Sequence, residues 1–319
     1  MQDVSSMQLL ITGATGLIGR RLVEDRLRRG DCVIAVTRNA EKARAVLPAD
    51  TAGDLRIIQD DPTRPGPWQE TIDECDAVVN FAGASIADRR WSASYRKILR
   101  SSRIDTTAHI VDAIRQASNP PGILISASAI GYYGETSTEP ACESDPPGED
   151  FLARLCTDWE AIAQEASGDT TRVVTLRLGI VLDERGGALG KMLTPFRFFL
   201  GGPIGSGKQT MSWIHWADVI GLIDFVLENE TCQGPYNAVS PQSITNREFC
   251  RILGRTLRRP SWLPAPKLAL RLILGEFARY VSMSQRVSCE HVIKLGYDFR
   301  HPDLETALAS LFFQNGDKL

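Results

Sequence analysis

Gly13, Gly16 and Gly19 stand in G-x-x-G-x-x-G spacing, after the apolar run Leu9-Leu10-Ile11-Thr12 and before Arg20-Arg21-Leu22-Val23, which has helical periodicity. A strand that turns into a helix through such glycines is suited to holding a pyrophosphate. Gly13 keeps the turn tight, Gly16 lets the backbone approach the phosphates, and Gly19 lets helix and strand pack closely. With Thr15, Leu17 and Ile18 between them, these glycines are expected to line the dinucleotide. Its charge would face free N–H groups and the positive end of the helix dipole. An NAD site places Asp or Glu about 20 residues further on, at the end of the second strand, to bind the ribose hydroxyl. This chain has Thr37-Arg38-Asn39 there. Arg38 can form charge-assisted hydrogen bonds to a 2′-phosphate, and Thr37 can add its hydroxyl, so the expected cofactor is NADP(H). The alternative for Arg38 is a solvated cation at a strand end.

The elements that must position these groups follow from periodicity. Apolar runs predict strands at Leu9–Thr12, Cys32–Thr37, Leu55–Gln59, Ala77–Asn80, Ile123–Ala127 and Val173–Leu178. Between them, helical spacing is found after Gly19, over Ala40–Val46, over Arg100–Ala117 and over Phe151–Ala166. Strands alternating with helices predict an α/β fold, a doubly wound parallel sheet of the Rossmann kind. Past Leu182 glycine-rich loops surround a predicted helix at Leu189–Leu200, and Tyr236-Asn237-Ala238 reads as a last strand returning to the sheet. Arg247–Leu257, the linker Pro260–Pro266 and a helical stretch Leu268–Val281 predict a smaller, mostly helical lobe. The expected division is a dinucleotide-binding domain over residues 7–182, with 209–240 returning to it. Residues 183–208 and 241–319 then form the lobe, with a substrate cleft between the two.

The chain has 319 residues, 43% hydrophobic and 24% charged, which is ordinary for a soluble globular protein. Its net charge of −3 gives no reason to expect nucleic acid or an anionic membrane, and no basic block stands out in the sequence. Seven widely spaced cysteines without a C-x-x-C pair indicate neither a disulfide framework nor a zinc or other metal site. The residues before Met7 lack the basic and apolar regions of a signal peptide, so Met7 is read as the natural start and a cytoplasmic location is expected.

Together with Asn80-Phe81-Ala82-Gly83 and Ser126-Ala127-Ser128, these features resemble the extended short-chain dehydrogenase/reductases. Further motifs are similar to one subgroup. They are Arg89-Arg90-Trp91, Ser102-Arg103-Ile104, Ser128 to Gly134, Gly201 to Gly207, Ser212-Trp213-Ile214-His215 and Ser284-Gln285-Arg286-Val287. That subgroup is the atypical, epimerase-like one in the NAD-dependent epimerase/dehydratase superfamily, which carries a C-terminal domain of unknown function. The resemblance covers nearly the whole chain from Met7. Ser288-Cys289 departs from it, where the subgroup has Leu-Pro. The resemblance implies that Thr37 and Arg38 meet the adenosine phosphate and that Phe81 and Ala82, followed by Gly83, run along the dinucleotide. It also implies that Arg103 contacts the cofactor and that Val181 lies near the nicotinamide. By its residue type alone, Arg103 reads equally as a surface charge.

Hydride transfer at a carbonyl carbon needs a proton to move on the oxygen, and the wider family resembled here uses Tyr and Lys spaced Y-x-x-x-K on a helix. Four residues after Tyr95, Tyr132, Tyr133, Tyr236, Tyr280 and Tyr297 stand Leu99, Thr136, Ser137, Ser240, Ser284 and His301, so the pair is missing. Ser128 matches the family's catalytic serine, and Tyr133, or Tyr132 beside it, is the nearest phenol that could substitute. The competing reading of Tyr132-Tyr133-Gly134 is a structural turn. Cys156 reads as a packing residue, and His215 as a hydrogen-bonded, semi-buried histidine. Gly202 to Lys208 imitates a phosphate-binding P-loop, but Gln209 replaces the magnesium-binding Ser or Thr and a helix precedes it. The expected function is therefore an NADP(H)-binding, epimerase-like oxidoreductase acting on an unidentified small molecule. The alternative is a catalytically silent NADP(H)-binding sensor or regulator. A homodimer is compatible with either.

Overall fold

A computed structural model describes residues 6–49, 51–136 and 138–313. The residues ahead of Ser6 and beyond Phe313 lie outside the described part, as do the corresponding ends of the tail and lobe assigned from sequence. In chain order the elements begin with β1 (Gln8–Thr12), α1 (Leu17–Arg28), β2 (Cys32–Thr37), α2 (Ala40–Val46) and β3 (Asp54–Gln59). A 3-10 turn at Pro67–Glu74 leads to β4 (Ala77–Asn80), α3 (Ala93–Gln116), β5 (Ile123–Ala129), α4 (Phe151–Gln164) and β6 (Arg172–Leu178). The second half holds β7 (Ile180–Leu182), α5 (Gly187–Arg197), β8 (Thr210–Met211), β9 (Trp213–His215), α6 (Trp216–Glu228) and β10 (Gly234–Ala238). It continues with β11 (Ile244–Thr245), α7 (Asn246–Leu257), α8 (Lys267–Leu274), α9 (Phe277–Tyr280), α10 (Glu290–Lys294) and α11 (Leu304–Phe313).

Seven strands form one sheet in the order β10-β6-β5-β4-β1-β2-β3, and every pairing in it is parallel. A parallel sheet is covered on both faces, and the alternation of side chains shows it. Leu9, Ile11, Val33, Ala35, Val79 and Ile125 pack with α1 and α6 on one face. Leu10, Ile34, Val36, Val78 and Leu124 pack with Trp68, Ile72 and α3 on the other. From β1 the chain winds outward to β3, then crosses back to β4 and winds the other way. The reversal falls between β1 and β4, where their connections part and a crevice opens at the carboxyl ends of the strands.

The remaining elements gather in two further clusters. Leu189, Leu193, Phe196, Trp213, Phe249, Leu253, Leu304 and Leu308 bind α5, α7 and α11 together. Trp91, Tyr95, Leu99, Leu155 and Phe277 dock α9 on the loop after β4 and on α3 and α4. No described helix is long and apolar enough to cross a membrane.

Several predicted boundaries shift. The helix expected at Leu189–Leu200 ends at Arg197, because Phe199 turns left-handed (φ 62°) and Leu200 N donates back to Pro195 O at 2.9 Å. The stretch expected over Leu268–Val281 breaks at Gly275 (φ 64°). Helix α3 begins earlier than periodicity indicated, at Ala93, where the Ser92 side chain accepts from Tyr95 N. Ser128 lies inside β5 and not after it. Helix α6 and the short pairs β7–β9 and β8–β11 were not legible as elements.

Candidate active site

The first strand ends on Thr12, and Gly13 turns the chain with φ 72°. A Cβ at Gly13 would lie 2.5 Å from both the carbonyl carbon and the oxygen of Phe81, so the backbone leaving β4 presses directly on this turn. A Cβ at Gly19 would lie 2.2 Å from Gly13 O, which sets how closely α1 approaches β1. Gly16 differs: its φ is an ordinary −77°, and a Cβ there would meet only Gly13 O, at 3.0 Å. It begins α1 with no side-chain cap and no acidic residue in the first turn, which leaves the helix end open to an anion. Thr15, Leu17 and Ile18 are partly exposed around it.

The exit of β4 is pinned by Asn80, which is fully buried. Its Oδ1 accepts from Thr12 Oγ1 at 2.7 Å and from Ala82 N at 3.2 Å, and its Nδ2 donates to Thr107 Oγ1 at 2.8 Å. Thr107 in turn accepts from Trp159 Nε1 at 2.8 Å. One amide thus ties β1, β4, α3 and α4 together and fixes the path of Phe81, Ala82 and Gly83 past the glycine turn.

Two guanidinium groups flank this crevice without an anionic partner. Arg38 is exposed at the end of β2 and forms no ion pair among the described residues. Thr37 beside it accepts from Asn39 N at 3.3 Å, and Asn39 caps α2. Arg103 is half-buried on α3, with Cζ 3.0 Å from where a Gly83 Cβ would stand and 5.3 Å from the centre of the Trp159 ring. It donates to Leu99 O at 3.1 Å, has no carboxylate partner among the described residues, and its pKa is pushed down by burial. A partly buried cation without a carboxylate partner is costly, and an anion at this strand exit would offset that cost.

On the other side of β4, Ser128 and Tyr133 share one buried network. Ser128 Oγ donates to Glu160 Oε1 at 2.5 Å. Glu160 is gripped by Arg177 in a two-point ion pair, with Nε to Oε1 at 2.9 Å and Nη2 to Oε2 at 2.8 Å. Arg177 Nη1 donates to Tyr133 Oη at 2.8 Å, and Tyr133 donates to Asn237 Oδ1 at 2.8 Å. The Arg177 guanidinium also lies 3.5 Å from the centre of the Tyr132 ring. Burial pushes the Tyr133 pKa up to about 12, against the lowering effect of Arg177. The Tyr132-Tyr133 segment is a short 3-10 turn.

Helix α4 presents Leu152, Cys156 and Glu160 at i, i+4 and i+8, one face of the helix, where the family's Tyr and Lys would be sought. Leu152 packs against Gly131, while the Cys156 thiol is pushed up to about 11, chiefly by burial. Glu160 and Arg177 were missed in the sequence because they belong to no motif. The available signal was Arg177 itself, a charge inside the apolar strand Val173–Leu178, which demands a partner.

Val181 sits on β7, packed with Ile18 and Phe81 against the main core. Just beyond it, the fully buried Asp183 takes both Arg21 Nε at 2.9 Å and Nη2 at 2.8 Å, with Arg21 stacked 3.8 Å over Trp216. That pair holds the start of α5 on the glycine loop, where a Cβ at Gly187 would lie 2.8 Å from Leu17 Cδ2. Further along α5, Lys191 pairs with Asp88 of the loop after β4 at 3.0 Å. The P-loop mimic is a loop tied down by Gly205 N to Ala265 O at 3.0 Å and Arg247 N to Gly207 O at 2.9 Å. A recess of about 310 Å³ lined by Arg29, Asp224, Tyr297 and Arg300 contains none of these site residues.

His215 is a helix cap. Its Nδ1 accepts from Ala217 N at 3.1 Å, and Nε2 lies 3.2 Å from Ser310 Oγ. Burial first, then the neighbouring His301, whose ring centre lies 3.9 Å away, pushes its pKa from 6.5 down to about 3. The unfolded chain therefore takes up this proton before the folded one. Stability is complete above pH 6.5 and is withdrawn toward about pH 3, at about 1.4 kcal/mol per pH unit. His215→Asn, which keeps a capping acceptor, is expected to flatten the fall in urea midpoint as pH drops through this window. An unchanged slope would refute the assignment.

Residues 9–238 match the profile of the NAD dependent epimerase/dehydratase family, and residues 265–311 match a domain of unknown function, DUF1731. The chain is 40% identical over 313 residues to the epimerase family protein SDR39U1 homolog, chloroplastic, of Arabidopsis thaliana, covering 97% of this chain and 88% of that protein. It is 39% identical over 307 residues to the epimerase family protein SDR39U1 of Bos taurus, covering 95% and 98%. The crystal structure of human epimerase family protein SDR39U1 with NADPH matches with a TM-score of 0.83 at 34% identity, over 96% of this chain and 99% of that chain.

Proposed function

The chain belongs to the NAD dependent epimerase/dehydratase family, and from that premise we propose that it is an NADP(H)-binding, epimerase-like oxidoreductase without the Tyr-x-x-x-Lys pair. The observation that carries the cofactor is the open N-terminus of α1 at Gly16, flanked by two guanidinium groups, Arg38 and Arg103, that lack carboxylate partners among the described residues. The human relative crystallised with NADPH supports the same reading. Gly13, Thr15, Gly16, Leu17, Ile18 and Gly19 would hold the pyrophosphate. Thr37 and Arg38 would take the 2′-phosphate, Phe81, Ala82, Gly83 and Arg103 would line the middle, and Val181 would stand near the nicotinamide. When bound, the cofactor supplies or accepts a hydride. Residues 7–182 with 209–240 then form the dinucleotide domain, and 183–208 with 241–319 form the lobe that closes over a small-molecule substrate.

A specific observation favours the second reading, a silent NADP(H)-binding sensor. The hydroxyls of Ser128 and Tyr133, the two groups available for proton transfer, are both committed to the Glu160–Arg177–Asn237 network. In the catalytic reading, Ser128 would direct its remaining lone pairs to a substrate hydroxyl.

Arg38→Ala is the test of the cofactor assignment. Losing a charge-assisted contact of about 1.5–3 kcal/mol should weaken NADPH binding by about tenfold to a hundredfold and leave NADH nearly unchanged. Equal loss for both cofactors would sink the 2′-phosphate role. The same protein, loaded with NADPH and offered a panel of carbonyl and nucleotide-sugar compounds, separates enzyme from sensor by whether the nicotinamide absorbance falls.

A further inference from the structure

Phe198, Phe199, Leu200, Trp262 and Leu263 form an apolar tip that the cofactor site does not use. Their exposures are 70%, 53%, 53%, 64% and 38%. The tip is built by specific bonds. Trp262 N and Leu263 N donate to Gly201 O at 3.0 and 3.1 Å, and Trp262 Nε1 donates to Phe199 O at 3.1 Å. The non-glycine residues with positive φ among those described are Phe199 (62°) and Arg258 (54°), and both belong to this region. A left-handed aromatic residue is a strained choice, and here it holds the ring out from the end of α5. Exposed apolar groups gathered in one place mark an interaction surface.

The surroundings are basic. Arg197, Arg258 and Arg259 are exposed and have no carboxylate partner among the described residues, and the Arg259 guanidinium lies 4.6 Å from the centre of the Phe199 ring. The segments that carry the tip, 186–211 and 246–275, contain ten Lys or Arg against a single Glu, in a chain of net charge −3; Lys191, Arg251 and Arg255 among them are paired with Asp88, Glu248 and Glu305. Helix α8, which follows the same linker, adds Leu272 and Ile273 at 71% and 68% exposure. The expectation of no membrane contact rested on net charge and on the absence of a basic block, and neither registers charges gathered from two segments far apart in the chain.

Three kinds of occupant differ in what they require. A second copy stacked on this face would set unpaired guanidinium groups against one another. A bound peptide segment would need a recess, whereas these side chains stand on two loop tips. An anionic bilayer needs no shape match, accepts Trp, Phe and Leu at the headgroup boundary, and attracts arginines to its phosphates. We propose that this face docks the protein on an anionic phospholipid surface, with Phe198, Phe199, Leu200 and Trp262 entering the boundary and Arg197, Arg258 and Arg259 on the lipid phosphates.

The test is co-sedimentation of the full chain with phosphatidylcholine vesicles, with and without phosphatidylglycerol. Binding is expected only with phosphatidylglycerol and should weaken as salt is raised. Trp68, Trp91, Trp159 and Trp213 are buried and Trp216 is half-buried under Arg21, so the part of a blue shift on binding that Trp262→Phe removes reports entry of Trp262 into the boundary. Phe198→Ser with Trp262→Ser, and separately Arg258→Glu with Arg259→Glu, should each weaken binding by about tenfold or more. NADPH affinity and a single cooperative thermal transition serve as controls and should be kept; Trp262→Ser removes one exposed hydrogen bond to Phe199 O and should lower the midpoint only slightly. Failure to bind phosphatidylglycerol vesicles, or binding indifferent to both double variants, would overturn the proposal. So would a concentration-dependent dimer that the same substitutions dissolve, which would assign the face to a second copy.

Discussion

Gly16→Ala should fold with nearly its parent stability and lose the stabilisation that NADPH confers, whereas Gly19→Ala should be destabilised with or without the cofactor. The two glycines are three residues apart in one motif, and geometry separates them. Gly16 has φ −77°, which alanine adopts freely, and its added Cβ would touch only Gly13 O at 3.0 Å. The cost to the free protein is about 1 kcal/mol or less. The methyl group would nonetheless stand at the open end of α1, where a phosphate has to meet backbone N–H groups. At Gly19 the Cβ would lie 2.2 Å from Gly13 O and 2.8 Å from Ala14 Cα, both rigid backbone atoms. Helix and strand must then move apart, at a cost of about 3 kcal/mol. Thermal unfolding with and without NADPH reads both effects. At a hundredfold excess over Kd the parent gains about 2.7 kcal/mol, and Gly16→Ala should gain almost none. Wild-type NADPH affinity in Gly16→Ala would remove the pyrophosphate from this turn.

The contrast also shows what the sequence could and could not convey. Strands β1, β2 and β4, helix α2 and the glycine turn were legible, since each depends on local periodicity or on residues within one turn. The place of Arg38 at the end of β2 was legible because it is fixed by counting from the glycines. Arg103 was not separable from a surface charge by its residue type. Its surroundings are Gly83 and Trp159, with no carboxylate partner among the described residues, and those are contacts between the loop after β4, α3 and α4. Helix α6 went unread because its apolar residues run almost all round, giving no stripe to detect. The basic tip was hidden for a related reason, since its two loops lie about sixty residues apart and are joined by contacts between segments, such as those of Gly201 and Phe199 with Trp262.

Arg177→Met should be the most destabilising substitution near the site, by about 3–5 kcal/mol, because it strands the Glu160 carboxylate in the interior. Arg177 is 2% exposed, and it supplies two bonds to Glu160 and one to Tyr133. Removing both charges together in Glu160→Met with Arg177→Met should recover most of the loss, since a buried ion pair contributes little beyond what well-packed apolar groups would. The double variant distinguishes this cause from simple loss of packing, which a second replacement would not repair. Denaturant midpoints of parent, single and double variants provide the measurement. If the double variant is no more stable than Arg177→Met, lost packing of the Arg177 side chain and not the stranded carboxylate causes the defect. If instead it recovers, the network's service is positional. It locks Ser128, Tyr133 and Asn237 between β5, β6 and β10, so that two hydroxyls beside the dinucleotide crevice are held in one orientation.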